Sequence, residues 1–322
     1  MTSPASANPP NHPKPTRRKM LVRATDEALP GMQLTARDLA ILNGIYTCRA
    51  LTTPQIQRWF FPAAPDSLRG ATVRCQARLK LLFHHGYVAR DEQPVRLAEG
   101  RQPLVYFLDR RGADTLAAML HVKRTELDWR PQDILAGASH LFLTHLLRTN
   151  DFRIALELAA TAGGCSLMRW LDERMLRRAQ MKDLVVITDQ HGRRRQIAVV
   201  PDGYFAVSQG ETAYHQFLEI DLHTTTGLSQ RDDHRDWARR VQAYVTYHQT
   251  GKYQARYHAE TFRVLTVTTD HQRLAHLKTI TEQTGGRARF WFTTLASIAP
   301  ETVLSTPIWQ VAGRAGLLPL LV

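Results

Sequence analysis

VVPDGYFAVSQGETAYHQFLEID, residues 199–221, decides how the chain is read. A short apolar run and a proline precede Asp202, a turn rich in Gly, Ser and Gln follows, and a second apolar run is interrupted by Glu219 and Asp221. The pattern predicts a β-hairpin. Glu219 and Asp221 are two residues apart, so on a strand they point to the same face. A carboxylate costs several kcal/mol to bury unless it is paired or binds a cation. Acids at facing positions of a hairpin therefore point to a metal site, with Asp202 and Glu219 as its ligands.

The rest of the composition agrees with a partner of opposite charge. Lys plus Arg exceed Asp plus Glu by 42 to 29 in 322 residues, a net charge of +13, and the pI is near 10.1. Such an excess favours a polyanion, double-stranded DNA first of all, over a generic basic protein. The length suits two ordinary domains. Cys48, Cys75 and Cys165 match neither a zinc pattern nor a disulfide framework and read as reduced thiols. No apolar run approaches the ~20 residues that span a bilayer, and the N-terminus lacks the apolar core of a signal peptide. The expectation is a soluble cytoplasmic protein with no membrane partner.

Residues 1–30 read as a disordered basic arm, with Lys14, Arg17, Arg18, Lys19 and Arg23 and no acid before Asp26. From Leu34 the periodicity becomes helical. LTARDLAILNGIYTCRA places Leu34, Leu39, Ile41, Leu42 and Ile45 mostly on one face, with Thr35 as N-cap. LTTPQIQRWFF is a second, short helix capped by Thr53, with Pro54 in its first turn. SLRGATVRCQARLKLLFHHG is a longer third helix. It turns Val73, Ala77, Leu81 and Leu82 to the core and Arg69, Arg74, Arg78 and Lys80 outward, and it ends at Gly86. Two strands, 87–90 and 104–108, follow around a polar loop with Arg96, Gly100 and Arg101. Three helices and a hairpin make a winged helix-turn-helix over residues 31–130. The third helix would read the major groove and the Arg96–Arg101 loop would be the wing.

Residues 131–322 read as a mixed α/β domain. A helical stretch from about Ala138, with a break at Thr149-Asn150, leads through the shorter segment LMRWLDERMLRR to the acidic hairpin. A long helix with Trp237, Val241, Tyr244 and Tyr247 or His248 on one face comes next, then strand, helix and strand. The order resembles the PD-(D/E)xK restriction-endonuclease-like core. Pro201-Asp202 supplies its first element, and Glu219-Ile220-Asp221 stands where E-x-K would be. The resemblance implies carboxylates holding Mg²⁺ or Mn²⁺, a metal that activates water, and a basic side chain that neutralises charge. Asp221 occupies the lysine position. The basic group must then come from elsewhere, with Arg240 or Arg239 best placed and Lys182 less so. Arginine is a poor proton carrier, since its pKa stays above ~12. Glu157 or Glu173 could add a third acid. The candidate catalytic set is Asp202, Glu219, Asp221 and Arg240.

Over roughly residues 34–270 the chain resembles the replication-relaxation proteins of plasmids and other mobile elements. The likeness rests on LTTPQIQRWFF, the Gly-Tyr-Val exit from the third helix, HLLRTND (145–151), WLDE (170–173), PDGYF, FLEID and RVQAY (240–244). Relatives tend to have lysine at the position of Arg240. The resemblance implies a winged helix joined to a nuclease-like domain, acting in plasmid replication or DNA relaxation. Two other readings stand beside it. Tyr244, Tyr247, Tyr253 and Tyr257 could supply a tyrosine nucleophile, although no His-apolar-His metal motif accompanies them among the 14 histidines. Alternatively, the nuclease-like fold is catalytically silent and serves a homodimer or docks replication or mobilisation proteins.

Overall fold

A computed structural model describes residues 22–24, 29–62, 67–93, 102–130, 140–188, 192–222 and 230–321, with the backbone alone for 230–235. Lys14, Arg17, Arg18 and Lys19 of the basic arm, and Arg96 and Arg101 of the expected wing, lie outside the described residues. The chain divides into two compact units, Met1–Asp133 and Ile134–Val322.

The first unit runs α1 (Ala36–Cys48), β1 (Leu51–Thr52), α2 (Thr53–Phe60), α3 (Leu68–His84), β2 (Val88–Asp91), β3 (Val105–Leu108) and α4 (Arg110–Met119). The strands form an antiparallel sheet in the order β1-β3-β2. Thr35 starts α1 by a capping box with Asp38. Thr52, one residue before the expected Thr53, starts α2 by the same device with Gln55. Each box satisfies two backbone N–H groups that the first turn leaves without partners. The face of α3 also differs from expectation. Ala71, Cys75, Leu79, Leu82 and Phe83 are buried, whereas Val73 is 59% exposed. Small side chains at 71 and 75, rather than branched ones, fill the inner face of this helix. Arg23, expected in the arm, is tied down instead: it donates to the Phe83 carbonyl at 2.9 Å and pairs with Asp109. Gly112 explains how α4 fits. A Cβ there would lie 2.1 Å from the Tyr87 carbonyl oxygen.

The second unit runs α5 (His140–Ala162), β4 (Ser166–Asp172), α6 (Glu173–Leu176), β5 (Asp183–Thr188), β6 (Arg194–Val199), β7 (Gly203–Gln209), β8 (Thr212–Asp221), α7 (Gln230–Thr250), α8 (Lys252–Tyr257), β9 (Arg263–Thr268), α9 (His271–Gln283), β10 (Phe290–Thr294), β11 (Trp309–Val311) and β12 (Leu317–Leu318). Its main sheet has the order β12-β11-β10-β9-β8-β7-β4. β8, β9 and β10 are mutually parallel, and β4, β7 and β8 antiparallel. This mixed α/β architecture is the expected class. On one face Phe217, Val264, Phe290 and Phe292 pack with Tyr244, Leu274 and Leu277 of α7 and α9. On the other, Phe205, Val207, Leu218 and Leu265 pack with Phe152 and Leu156 of α5.

The helix α5 is continuous through Thr149-Asn150, both buried. Residues 166–172 form β4, at the edge of the sheet, where a bulge between Leu167 and Arg169 breaks the alternation a sequence pattern needs. β5 and β6 form a separate two-stranded sheet. Val185 and Ile187 join its inner face to the α7 side of the core, and Arg256 and Tyr247 hold Asp183 at its base. No described helix is long and apolar enough to cross a membrane.

Candidate active site

The acidic hairpin of the sequence is β7–β8, and its carboxylates gather at the carboxyl end of β8. The register pairs Gly203 with Leu218. The ladder ends there: the Asp202 N–H donates to the Leu218 carbonyl at 3.0 Å, one residue out of step, so Ile220 lies beyond the β7 pairing and its backbone groups take other partners. The Ile220 N–H donates to Asp202 Oδ2 at 2.7 Å. The Ile220 carbonyl lies 3.1 Å from His145 Nε2, and the same nitrogen is 3.2 Å from Asp202 Oδ2. Both partners are acceptors here, so Nε2 carries the hydrogen. Burial works against a proton on His145, but the hydrogen bond and charge of Asp202, with Glu173 beyond, outweigh it and lift the imidazole to about 9.

Glu219 is buried, 2% exposed. Its Oε1 accepts from the Tyr244 hydroxyl at 2.5 Å and its Oε2 from Arg240. Arg240 and Tyr244 are four apart on α7, so one helical face delivers both to one carboxylate. Burial pushes Glu219 up to about 7 against the pull of Arg240, and the charge of Asp202 adds to the rise. The Arg240 guanidinium is held firmly in its charged form by Glu219, although its side chain is 57% exposed.

Asp221 stands apart from this group. Arg273, on the first turn of α9, donates to it through Nε at 3.1 Å and Nη2 at 2.8 Å. Thus Asp202, Glu219 and Arg240 are brought together, whereas Asp221 is held by a different cation. Arg239 pairs with Asp236 on its own helix. Glu157 pairs with Arg153. Glu173 pairs with Arg177, yet its charge still reaches His145. Lys182 is exposed, just before β5. All four candidate tyrosines are buried. Tyr244 and Tyr247 give their hydroxyls to Glu219 and Asp183, and burial raises their pKa values, first among the causes. These are core residues, poorly placed to attack a phosphate. Sequence reading marks His145 only through the HLLRTND motif and does not single out Arg273.

Among the described residues no group of three His, Cys, Asp or Glu side chains is placed to hold a metal ion. Asp202 and the Ile220 carbonyl nonetheless meet at His145, and Glu219 is near enough for the charge of Asp202 to raise it; all three are hard donors of the kind Mg²⁺ and Mn²⁺ take. Beside them, Thr266 pairs in register with Glu219 on parallel β9. Its hydroxyl is fully buried and has no hydrogen-bond partner among the described atoms. An orphaned buried oxygen next to a carboxylate calls for a water or an ion, and the donor set fits a divalent cation in kind.

A family model described as replication-relaxation matches residues 42–264. The chain belongs to the replication-relaxation family. Among curated proteins, no match to this family member is found. Solved structures similar to it include the restriction endonuclease FokI, at 14% identity over 81% of this chain and 42% of that one, with a TM-score of 0.27. FokI bound to DNA gives 12% identity over 83% and 45%, with a TM-score of 0.24. The chain spans less than half the length of FokI.

In the first unit, Arg69, Arg74 and Lys80 are exposed on α3. Arg78 is not: it holds buried Asp38 through Nε at 2.7 Å and Nη2 at 2.5 Å, and also binds the Gln33 carbonyl. Arg78 therefore ties α3 to α1.

Proposed function

We propose that this protein is a cytoplasmic DNA-binding protein of a plasmid or other mobile element, acting in replication or relaxation of double-stranded DNA through a nuclease-like centre of PD-(D/E)xK type. The observation that carries the reading is the convergence of Asp202, Glu219 and Arg240, from three different elements, on the end of β8. Asp202 and Glu219 would hold Mg²⁺ or Mn²⁺. Such an ion supplies an activated water and stabilises charge on a phosphodiester. Arg240, charged and more than half exposed, would set its guanidinium against a non-bridging phosphate oxygen. That role needs charge and two hydrogen-bond donors and no proton transfer, which suits arginine. Without an ion, His145 pairs with Asp202.

DNA is brought to the centre by the first unit, read as a winged helix. Three helices precede its hairpin, and the third presents Arg69, Arg74 and Lys80 beside Gln76 and Val73 on its exposed side. Charged groups suit phosphates, and the amide and apolar groups suit base edges and thymine methyls. In the test, purified protein with Mg²⁺ or Mn²⁺ is incubated with supercoiled plasmid. Nicking or relaxation that is lost in Glu219→Ala and in Asp202→Asn supports the proposal; its persistence in both removes it.

A second reading has its own observation. Both Glu219 oxygens are already satisfied by Arg240 and Tyr244, and both Asp221 oxygens by Arg273. Acids neutralised internally suit a silent scaffold that dimerises or docks replication or mobilisation proteins. Absence of cleavage with intact, salt-sensitive DNA binding selects it.

A further inference from the structure

His145 Nε2 is 3.2 Å from Asp202 Oδ2 and 3.1 Å from the Ile220 carbonyl oxygen. Both are oxygens of the kind a divalent ion takes, and an ion that drew on them would compete with the Nε2–H for the same lone pairs. Ile220 lies beyond the last β7–β8 pair, Gly203 with Leu218, so its carbonyl is not part of that ladder. The His145 side chain is 30% exposed. The His145 carbonyl accepts from the Thr149 hydroxyl at 3.0 Å, so the backbone at this turn is held independently of the imidazole.

We propose that His145 is a resident plug of the metal position: it satisfies Asp202 and the Ile220 carbonyl in the metal-free protein and must withdraw before a divalent cation enters. The inference rests on the reading of Asp202 and Glu219 as metal ligands. It makes His145 a competitor of the ion and not one of its ligands, so removal of the side chain tightens metal binding.

The test is Mn²⁺ binding to the full, metal-stripped chain, followed by calorimetry and by loss of the free-ion paramagnetic resonance signal. His145→Ala is expected to bind Mn²⁺ at least about tenfold more tightly than the unmodified chain. His145→Gln, which keeps an uncharged donor, is expected between the two. The gain should vanish when Asp202→Asn is added. Equal or weaker binding by His145→Ala overturns the plug and leaves the metal centre standing. No site-specific Mn²⁺ binding in any variant overturns both. Circular dichroism checks folding, and if His145→Ala does not fold, His145→Gln decides on the same criterion.

Discussion

A buried carboxylate is costly unless its surroundings replace water, and at Glu219 the replacement is specific. The Tyr244 hydroxyl and the Arg240 guanidinium each take one oxygen. Tyr244→Phe is expected to cost about 1.5–3 kcal/mol, the range for a hydrogen bond to a charged group, measured by urea unfolding. Arg240→Gln is expected to cost about 1–3 kcal/mol, since it leaves the buried carboxylate under-satisfied while its own half-exposed cation was already screened. The two titrations give a pH dependence of defined sign. Glu219 is lifted from 4.5 to about 7, so the folded state binds more protons than the unfolded one between those values and stability falls as pH rises across them. His145 is lifted from 6.5 to about 9, so its contribution is full below 6.5 and is lost as pH rises toward 9. Unfolding free energies in chelator should therefore decline from pH 4.5 to 9. Asp202→Asn should flatten the part above 6.5, and a slope unchanged in that variant would assign it to another group.

On the function proposed above, helix α3 divides its basic residues between two tasks. Arg78 faces α1 and locks buried Asp38, whereas Arg69, Arg74 and Lys80 face solvent. Asp38→Ala is expected to destabilise the first unit by about 3–5 kcal/mol, as for a buried pair that loses one partner. Alanine at 69, 74 or 80 should leave stability nearly unchanged and weaken DNA binding, lowering the log–log salt slope by about 0.9 for each phosphate no longer neutralised. The slope measured for each variant separates the tasks. Much of this was legible in the sequence. The order of three helices and a hairpin follows from apolar spacing and caps, and FLEID and RVQAY marked the strand and helix that meet at Glu219. What was not legible depended on tertiary contact. No local pattern tells that Arg78 finds Asp38 forty residues away, that Arg273 finds Asp221, or that α3 buries Ala71 and Cys75 in place of Val73. The edge strand β4 was hidden by its bulge and exposed charges. His145 lay in a motif, but its partner oxygens come from residues 202 and 220, which no local pattern reveals.

At the scale of the whole molecule, the family places the chain in replication-relaxation, and the proposal that DNA is the object of its work leans on two features. One is the net charge of +13, which raises the local concentration of a polyanion whatever the site. The other is the division into two units, one with a basic exposed helix and one with a carboxylate–arginine centre. A binding unit alone would need no such centre, and a centre alone would need no such helix. Everything turns on whether the β8 end does chemistry. The direct measurement is conversion of supercoiled plasmid to open-circular or relaxed forms by purified protein with Mn²⁺ or Mg²⁺, compared with Glu219→Ala at equal DNA occupancy. The expected result is conversion by the unmodified chain, abolished by chelator and by Glu219→Ala. Equal conversion by both proteins, or none by either while both bind the plasmid, would contradict it.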